Sequence, residues 1–203
     1  MNKPESLVSR GRPREFCVDA ALAKALRVFW SKGYEGASLT DLTDAMGITR
    51  PSLYAAFGNK EELFRKALDL YEQEKLTYVG ASLSKPTARE VAESFLRGSV
   101  DNATSCNEPH GCMGVIASMQ CGAEAQGIRS EVLKRGKVVR QAIVDRFQLA
   151  LDQGDLPAGT DVEGLTSLLF ALIQGISMQA GNGATKEELD RLVDTGLAMW
   201  PSK

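Results

Sequence analysis

The sequence predicts an all-α fold. Apolar residues recur at three- and four-residue spacing along most of the 203-residue chain. Several of these stripes open behind a Ser, Thr or Asn that can cap a helix. No stretch alternates apolar with polar residues as a half-buried strand would.

Residues 1–14 hold Lys3, Arg10, Arg12 and Arg14 and little that could pack, so they read as a basic arm. A first helix begins near Cys17, where Val18, Ala21, Leu22, Ala25, Leu26 and Phe29 form one apolar stripe. Lys32 and Gly33 offer it a basic last turn and a left-handed stop. Ser38-Leu39-Thr40-Asp41 is a capping box that opens a short helix through Met46, and Gly47 breaks it. Thr49 caps a third helix running to about Phe57, with Pro51 in the first turn, where its missing N–H costs nothing. Asn59-Lys60-Glu61-Glu62 is a further box, starting a longer helix to roughly Tyr78 with Leu63, Ala67, Leu70 and Tyr71 on its inner face.

Gly80 to Pro86 reads as a connection, and Thr87 with Glu90 opens a helix to about Ala103. Ser105 to Gly114, rich in Cys, Pro and Gly, is expected to be irregular. A short helix around Val115–Cys121 and a long one from about Gln126 to Asp152 follow, closed by Gly154-Asp155-Leu156-Pro157. Two last helices, about 161–180 and 185–200, are separated by Gly181-Asn182-Gly183.

The net charge of −2 hides an asymmetry: residues 1–66 carry eleven Lys/Arg against eight Asp/Glu, and the remainder thirteen against eighteen. A basic head on an acidic body suits a protein that meets a polyanion with one end. The longest apolar run, Leu168 to Ile173, is too short to cross a membrane. The first thirty residues lack a secretory h-region, and four scattered cysteines suit a reducing cytoplasm.

Two short helices joined at a glycine fit a helix-turn-helix, with Gly47 permitting the bend and Ala45 small enough to let the second helix approach. Leu42, Ile48, Leu53 and Phe57 would pack inward, leaving Thr49, Arg50, Ser52 and Tyr54 outward. The start of such a second helix meets base edges in the major groove. Arg50 is the candidate for bidentate contact with guanine, and Pro51 and Ala55 could touch a thymine methyl. Ser52 and Tyr54 suit phosphates, as does Lys60 at a helix start. A hairpin used only for packing would leave Arg50, Ser52 and Tyr54 as a wet face with no role, although Tyr54 alone could be a half-buried core residue. Arg10, Arg12 and Arg14 read equally as a solvated tail or as an arm entering the minor groove.

Gly33-Tyr34, Ser38 to Leu42, Ala45 to Ile48, Leu53-Tyr54, Phe57 and Lys60 to Leu63 together resemble the DNA-binding domain of TetR-type repressors. The resemblance covers roughly residues 14–66, and the Leu-Tyr-x-x-Phe-x-x-Lys run is more specific than a bare helix-turn-helix. It implies a homodimer on a pseudo-palindromic double-stranded operator, released by a small-molecule inducer, with no cofactor, no catalysis and no membrane partner. It maps DNA contacts onto Ser38, Thr40, Thr49, Arg50, Pro51, Ser52, Tyr54 and Lys60. The organisation it implies is an arm (1–14), a three-helix DNA-binding domain (15–66) and a helical ligand-binding and dimerisation domain (67–203). The body is more loosely similar to a subtype bearing Gly-Cys-Met-Gly, here Gly111 to Gly114, some of whose members respond to copper.

In the body, Leu165, Leu168, Leu169, Leu172, Ile173 and Ile176 on the penultimate helix face a stripe of Leu189, Leu192, Val193, Leu197 and Trp200 on the last. Together these predict a four-helix dimer interface, or burial against their own domain. Phe95, Met113, Ile116, Met119, Phe147 and Phe170 are candidates for an apolar ligand pocket, or plain core. Cys106, His110, Cys112 and Cys121 lie close enough in sequence to suggest a thiol- or metal-responsive alternative, without compact zinc-site spacing. A His110–Cys112 catalytic dyad lacks an orienting third group.

Overall fold

A computed structural model describes residues 16–119, 122 and 125–201. Among them are ten helices and no strand: α1 (Val18–Gly36), α2 (Leu39–Met46), α3 (Arg50–Phe57), α4 (Lys60–Lys75), α5 (Thr77–Leu83), α6 (Ala88–Ala103), α7 (Met113–Ser118), α8 (Gln126–Asp152), α9 (Val162–Gly181) and α10 (Lys186–Ala198). The all-α expectation holds. The caps fall where the sequence puts them, with reciprocal boxes at Ser38/Asp41, Asn59/Glu62 and Thr87/Glu90, and a further one at Thr185/Glu188.

Three boundaries differ, one of them at α7, which starts at Met113, inside the stretch expected to be irregular, and ends at Ser118 instead of Cys121. Gly33 does not end α1; it is a kink (φ 70, ψ 177), and the chain resumes helix to Gly36. The kink turns Tyr34 inward, edge-on to Phe64 at 5.4 Å between ring centroids. The fourth helix stops at Lys75 rather than Tyr78, and the expected connection at Gly80 is helical as part of α5. The cause is tertiary. Tyr78 must leave the α4 axis to lie on Gly98, where a Cβ would come within 2.4 Å of its ring, and to pack edge-on against Phe95 at 5.6 Å.

Two apolar cores result. The first joins α1, α2, α3 and α4 through Phe29, Trp30, Leu42, Leu53, Phe57 and Tyr71, and recruits Met113 and Ala117 of α7 and Ile128 of α8. A boundary at residue 66 therefore falls inside α4, whose C-terminal half belongs to the same core. The second core joins α6, α8, α9 and α10 through Phe95, Phe147, Leu169, Ile176, Leu189 and Val193. By length and composition α9 could cross a membrane, a property its contiguous apolar run does not reveal. Its apolar residues Leu165, Leu169 and Ile176 are instead buried in this core.

The turn at Gly111-Cys112 ties the cores together. Trp30 Nε1 donates to Gly111 O at 3.1 Å, Gly111 N to Ala103 O at 3.0 Å, and Cys112 N to Ser177 Oγ at 2.7 Å. The Tyr71 hydroxyl donates to Cys112 Sγ at 3.4 Å and accepts from Asn102 Nδ2 at 2.8 Å. Burial holds the Tyr71 hydroxyl well above its ordinary pKa, so it remains a donor. Gly111 sits at φ 87, and a Cβ there would lie 3.0 Å from Ser177 O.

Two outcomes follow from this frame. Gly111→Ala combines a strained φ with a tight contact, and is expected to lower stability to denaturant by about 1–3 kcal/mol. Lys32, then Ser38 through hydroxyl and N–H, holds the Asp41 carboxyl well below the ordinary carboxylate range. Its contribution to stability is therefore complete above about pH 4 and lost as pH falls through the lower folded-state value. Thermal melts of Asp41→Asn should fall below the parent at neutral pH, and the gap should close on acidification; a gap constant with pH contradicts this.

Candidate nucleic-acid interface

The α2–α3 corner is closed by Gly47, at φ 70 and ψ 35, whose N–H reaches Thr43 O at 2.9 Å and Asp44 O at 3.2 Å. Nothing lies within 4 Å of where its Cβ would be, so backbone conformation and not space requires the glycine. Ala45 is not the close-approach residue the sequence suggests. It is exposed and lines a surface depression with Lys24, Arg27, Val28, Ser31, Asn107 and Pro109. The approach of the two helices is made by Leu42 and Leu53, both fully buried, with Phe57. Ile48 packs partly against the same core.

With Leu53 and Phe57 fixed inward, the opposite face of α3 turns to solvent. Arg50, Pro51 and Ala55 are exposed, and Tyr54 is 48 % exposed, which rules out a core role for that tyrosine. Thr49 Oγ1 caps α3 by accepting from Ser52 N at 3.4 Å, and lies 3.0 Å from the half-buried Ser52 hydroxyl. Arg50 Nη2 donates to the exposed Thr40 Oγ1 at 2.9 Å. Ser38, at the α2 cap, donates from its hydroxyl to Asp41 Oδ2 at 2.6 Å. Lys60 opens α4 with its ammonium 4.5 Å above the Tyr34 ring, which holds it at the helix start by cation–π attraction. Thr40 and Arg50 are thus drawn together, as are Thr49 and Ser52, on one side of the corner. The role of Tyr34 as a support for Lys60 is not visible in local periodicity, because 26 residues and a kink separate the two; the Gly33-Tyr34 pair is its only sequence signal. Arg10, Arg12 and Arg14 lie outside the described residues.

Other expectations are redistributed. The pocket candidates do not converge: Met113 and Ile116 belong to the first core, Phe95, Phe147 and Phe170 to the second, and Met119 is 48 % exposed. Of the dimer candidates, Leu165, Leu169, Ile176, Leu189, Val193, Leu197 and Trp200 are buried in the protomer's own core. This follows from α9 and α10 packing on each other and on α6, which consumes their inner stripes. Leu168 is 40 % exposed, and Leu172 and Leu192 are half-buried. The metal alternative finds no support. Cys106 and His110 are exposed, Cys112 is engaged by Tyr71, Cys121 lies outside the described residues, and no group of three or more candidate metal ligands occurs among the described ones.

Comparison with known proteins agrees with this geometry. Residues 21–67 match the family of bacterial regulatory proteins of the TetR type, and residues 90–195 match the tetracyclin repressor-like C-terminal domain. The chain is 35 % identical over 199 residues to the HTH-type transcriptional repressor ComR of Escherichia coli K12, covering 95 % of this chain and 93 % of that protein. Among solved structures it is similar to a cysteine mutant of the TetR family regulator CifR, complexed with 26-base-pair double-strand operator DNA. That likeness has a TM-score of 0.87 and 40 % identity, covering 94 % of this chain and all of the other. A TetR regulator from Rhodococcus sp. RHA1 is 41 % identical with a TM-score of 0.63, over 90 % of this chain and 98 % of that one. The chain belongs to the TetR family and is a DNA-binding transcriptional regulator.

Proposed function

We propose that the protein is a ligand-relieved repressor that binds a pseudo-palindromic operator as a homodimer, with Arg50 reading a base in each half-site. The observation that carries the reading is the exposed Arg50–Tyr54 face of α3, opposite a face locked by Leu53 and Phe57. A short helix anchored on one side and polar on the other suits the major groove, with Tyr54 and Lys60 on phosphates. The arm residues Arg10, Arg12 and Arg14 join the proposal from sequence alone.

The surface left on α9 supports the dimer. Gly164, Leu168, Ala171, Gly175 and Met178 recur at four- and three-residue spacing, the seam of two helices packed knobs into holes. Leu168 and Met178 are 40 % and 45 % exposed in the protomer, an apolar ridge that a two-fold partner covers. This seam replaces Leu165, Leu169 and Ile176 as the interface.

Relief by a small molecule requires that the inducer bind one of two conformations more tightly. The second core offers it footholds in Thr166 Oγ1 and Trp200 Nε1, both buried with no hydrogen-bond partner among the described residues. An inducer that accepts a hydrogen bond gains by satisfying an orphaned donor. The Gly111-Cys112 turn supports a route from there to the reading head, through Ser177 of α9, Tyr71 of α4 and Trp30 of α1.

Selection of bound fragments from random duplex DNA tests the function directly, and failure to enrich any sequence at low salt refutes it. With the recovered operator, Arg50→Ala is expected to cost about 1–3 kcal/mol of specific binding and to relax preference at one base position. Leu168→Glu is expected to convert the dimer to monomer in sedimentation and to weaken operator binding while leaving the helical content unchanged. A dimer unaffected by that charge refutes the α9 seam.

A further inference from the structure

Thr40 and Arg50 lie on the first turns of consecutive helices, α2 and α3, and both first turns are fixed by caps. The Ser38/Asp41 box locks the backbone at Thr40, and Thr49, accepting from Ser52 N, locks it at Arg50. Across the corner between them, a 2.9 Å bond from Arg50 Nη2 to Thr40 Oγ1 ties the reading side chain to the other helix.

We propose that Thr40 is a positioning residue for base readout: its hydroxyl holds one edge of the Arg50 guanidinium so that the free edge enters the groove in one orientation. This rests on the reading of Arg50 given above, and it gives Thr40 a role other than the direct DNA contact that the resemblance implies. The guanidinium has five N–H donors in a rigid planar fork, so engaging one leaves a two-donor edge for a guanine. A partner of this kind must be neutral. A carboxylate in its place would cancel the positive charge and repel the phosphates on either side.

The neighbouring acid is disarmed for that purpose. Asp41 follows Thr40 directly, yet its carboxylate accepts from Lys32 Nζ at 2.5 Å, from Ser38 N at 2.9 Å and from Ser38 Oγ at 2.6 Å. Its acceptor capacity is directed at α1 and at the α2 cap, and the hydroxyl of Thr40 is left as the partner of Arg50. In the free protein this bond is exposed and competes with water. Docking of a duplex excludes that water and strengthens it when orientation matters.

The two roles for Thr40 differ in a measurable way. A phosphate contact contributes equally to every duplex, whereas a positioning contact acts only through the base that Arg50 reads. The probe is the operator recovered with the wild-type protein, together with its three single-base alternatives at the position whose preference Arg50→Ala removes. Thr40→Val keeps the β-branched shape and removes the hydroxyl. It is expected to lose about tenfold in discrimination at that position, while preference elsewhere is unchanged. Thr40→Ser, which keeps the donor's partner, should retain the discrimination, and in an Arg50→Ala background Thr40→Val should have no further effect. Thr40→Ala carries the same expectation if the valine protein melts below the parent. Uniform weakening on all four duplexes, or discrimination left intact, overturns the proposal. An Arg50→Ala protein with every base preference intact overturns the reading of Arg50 first, and is recognised before any Thr40 variant is measured.

Discussion

A buried turn whose polar groups must be satisfied hydrogen-bonds the two halves of this protein to each other. Gly111 and Cys112 cannot leave their N–H and C=O groups unpaired in an apolar setting without a cost of about 1–3 kcal/mol each. Their partners come from α1, α6 and α9: Trp30 Nε1, Ala103 O and Ser177 Oγ. Helices of the first core therefore cannot slide over those of the second while all these bonds persist. Packed junctions of this kind move between discrete arrangements and do not yield gradually, which is the property a regulator needs.

The helix that runs from the α2–α3 corner to this turn is α4. Lys60 at its start lies beside the reading head, and Tyr71 near its end donates to Cys112. Eleven residues separate them, about 16 Å of helix. Arg135 of α8 adds an outer brace, bonding to Asp69 Oδ1 at 2.6 Å and Glu72 Oε2 at 2.9 Å. Those carboxylates are partly exposed, so the brace is a modest one, weakened by salt. The aromatic packing of Trp30 on Tyr71, edge-on at 4.9 Å, is the firmer hold. Tyr71 thus packs directly on α1 and shares one helix with Lys60.

How much of this is written locally in the chain varies by element. The head is legible because its determinants are short-range: a serine three residues before an aspartate, a glycine able to hold φ 70, and leucines spaced to one side of two short helices. The break after Lys75 is not legible, since no glycine or proline marks it and the cause is Gly98, twenty residues beyond Tyr78. Nor is the division of α9 between its own core and a partner. Leu165 and Leu168 belong to one wide apolar stripe in sequence, yet the first is 7 % exposed and the second 40 %, because α6 and α10 cover only one edge of it. Periodicity reports that a face is apolar and not what will cover it. Of the six apolar residues that read as pocket or plain core, five divide between the two cores and Met119 is exposed, a division that depends on long-range packing and not on local spacing.

The economy of α3 explains why a second copy is needed. Of its eight residues, Leu53 and Phe57 are committed to the core, and Ser52 is tied to the Thr49 cap. Arg50 is the long side chain left with donors suited to a base edge, and one bidentate contact is worth only about 1–3 kcal/mol of discrimination. A genome offers on the order of a million or more competing sites, far beyond what a factor of that size can reject. Doubling the head across a two-fold axis multiplies the factors and fixes their separation along the helix. On the proposed reading, the apolar ridge at Leu168 and Met178 is bound up with recognition as closely as Arg50 itself: a single corner would have too little to read with.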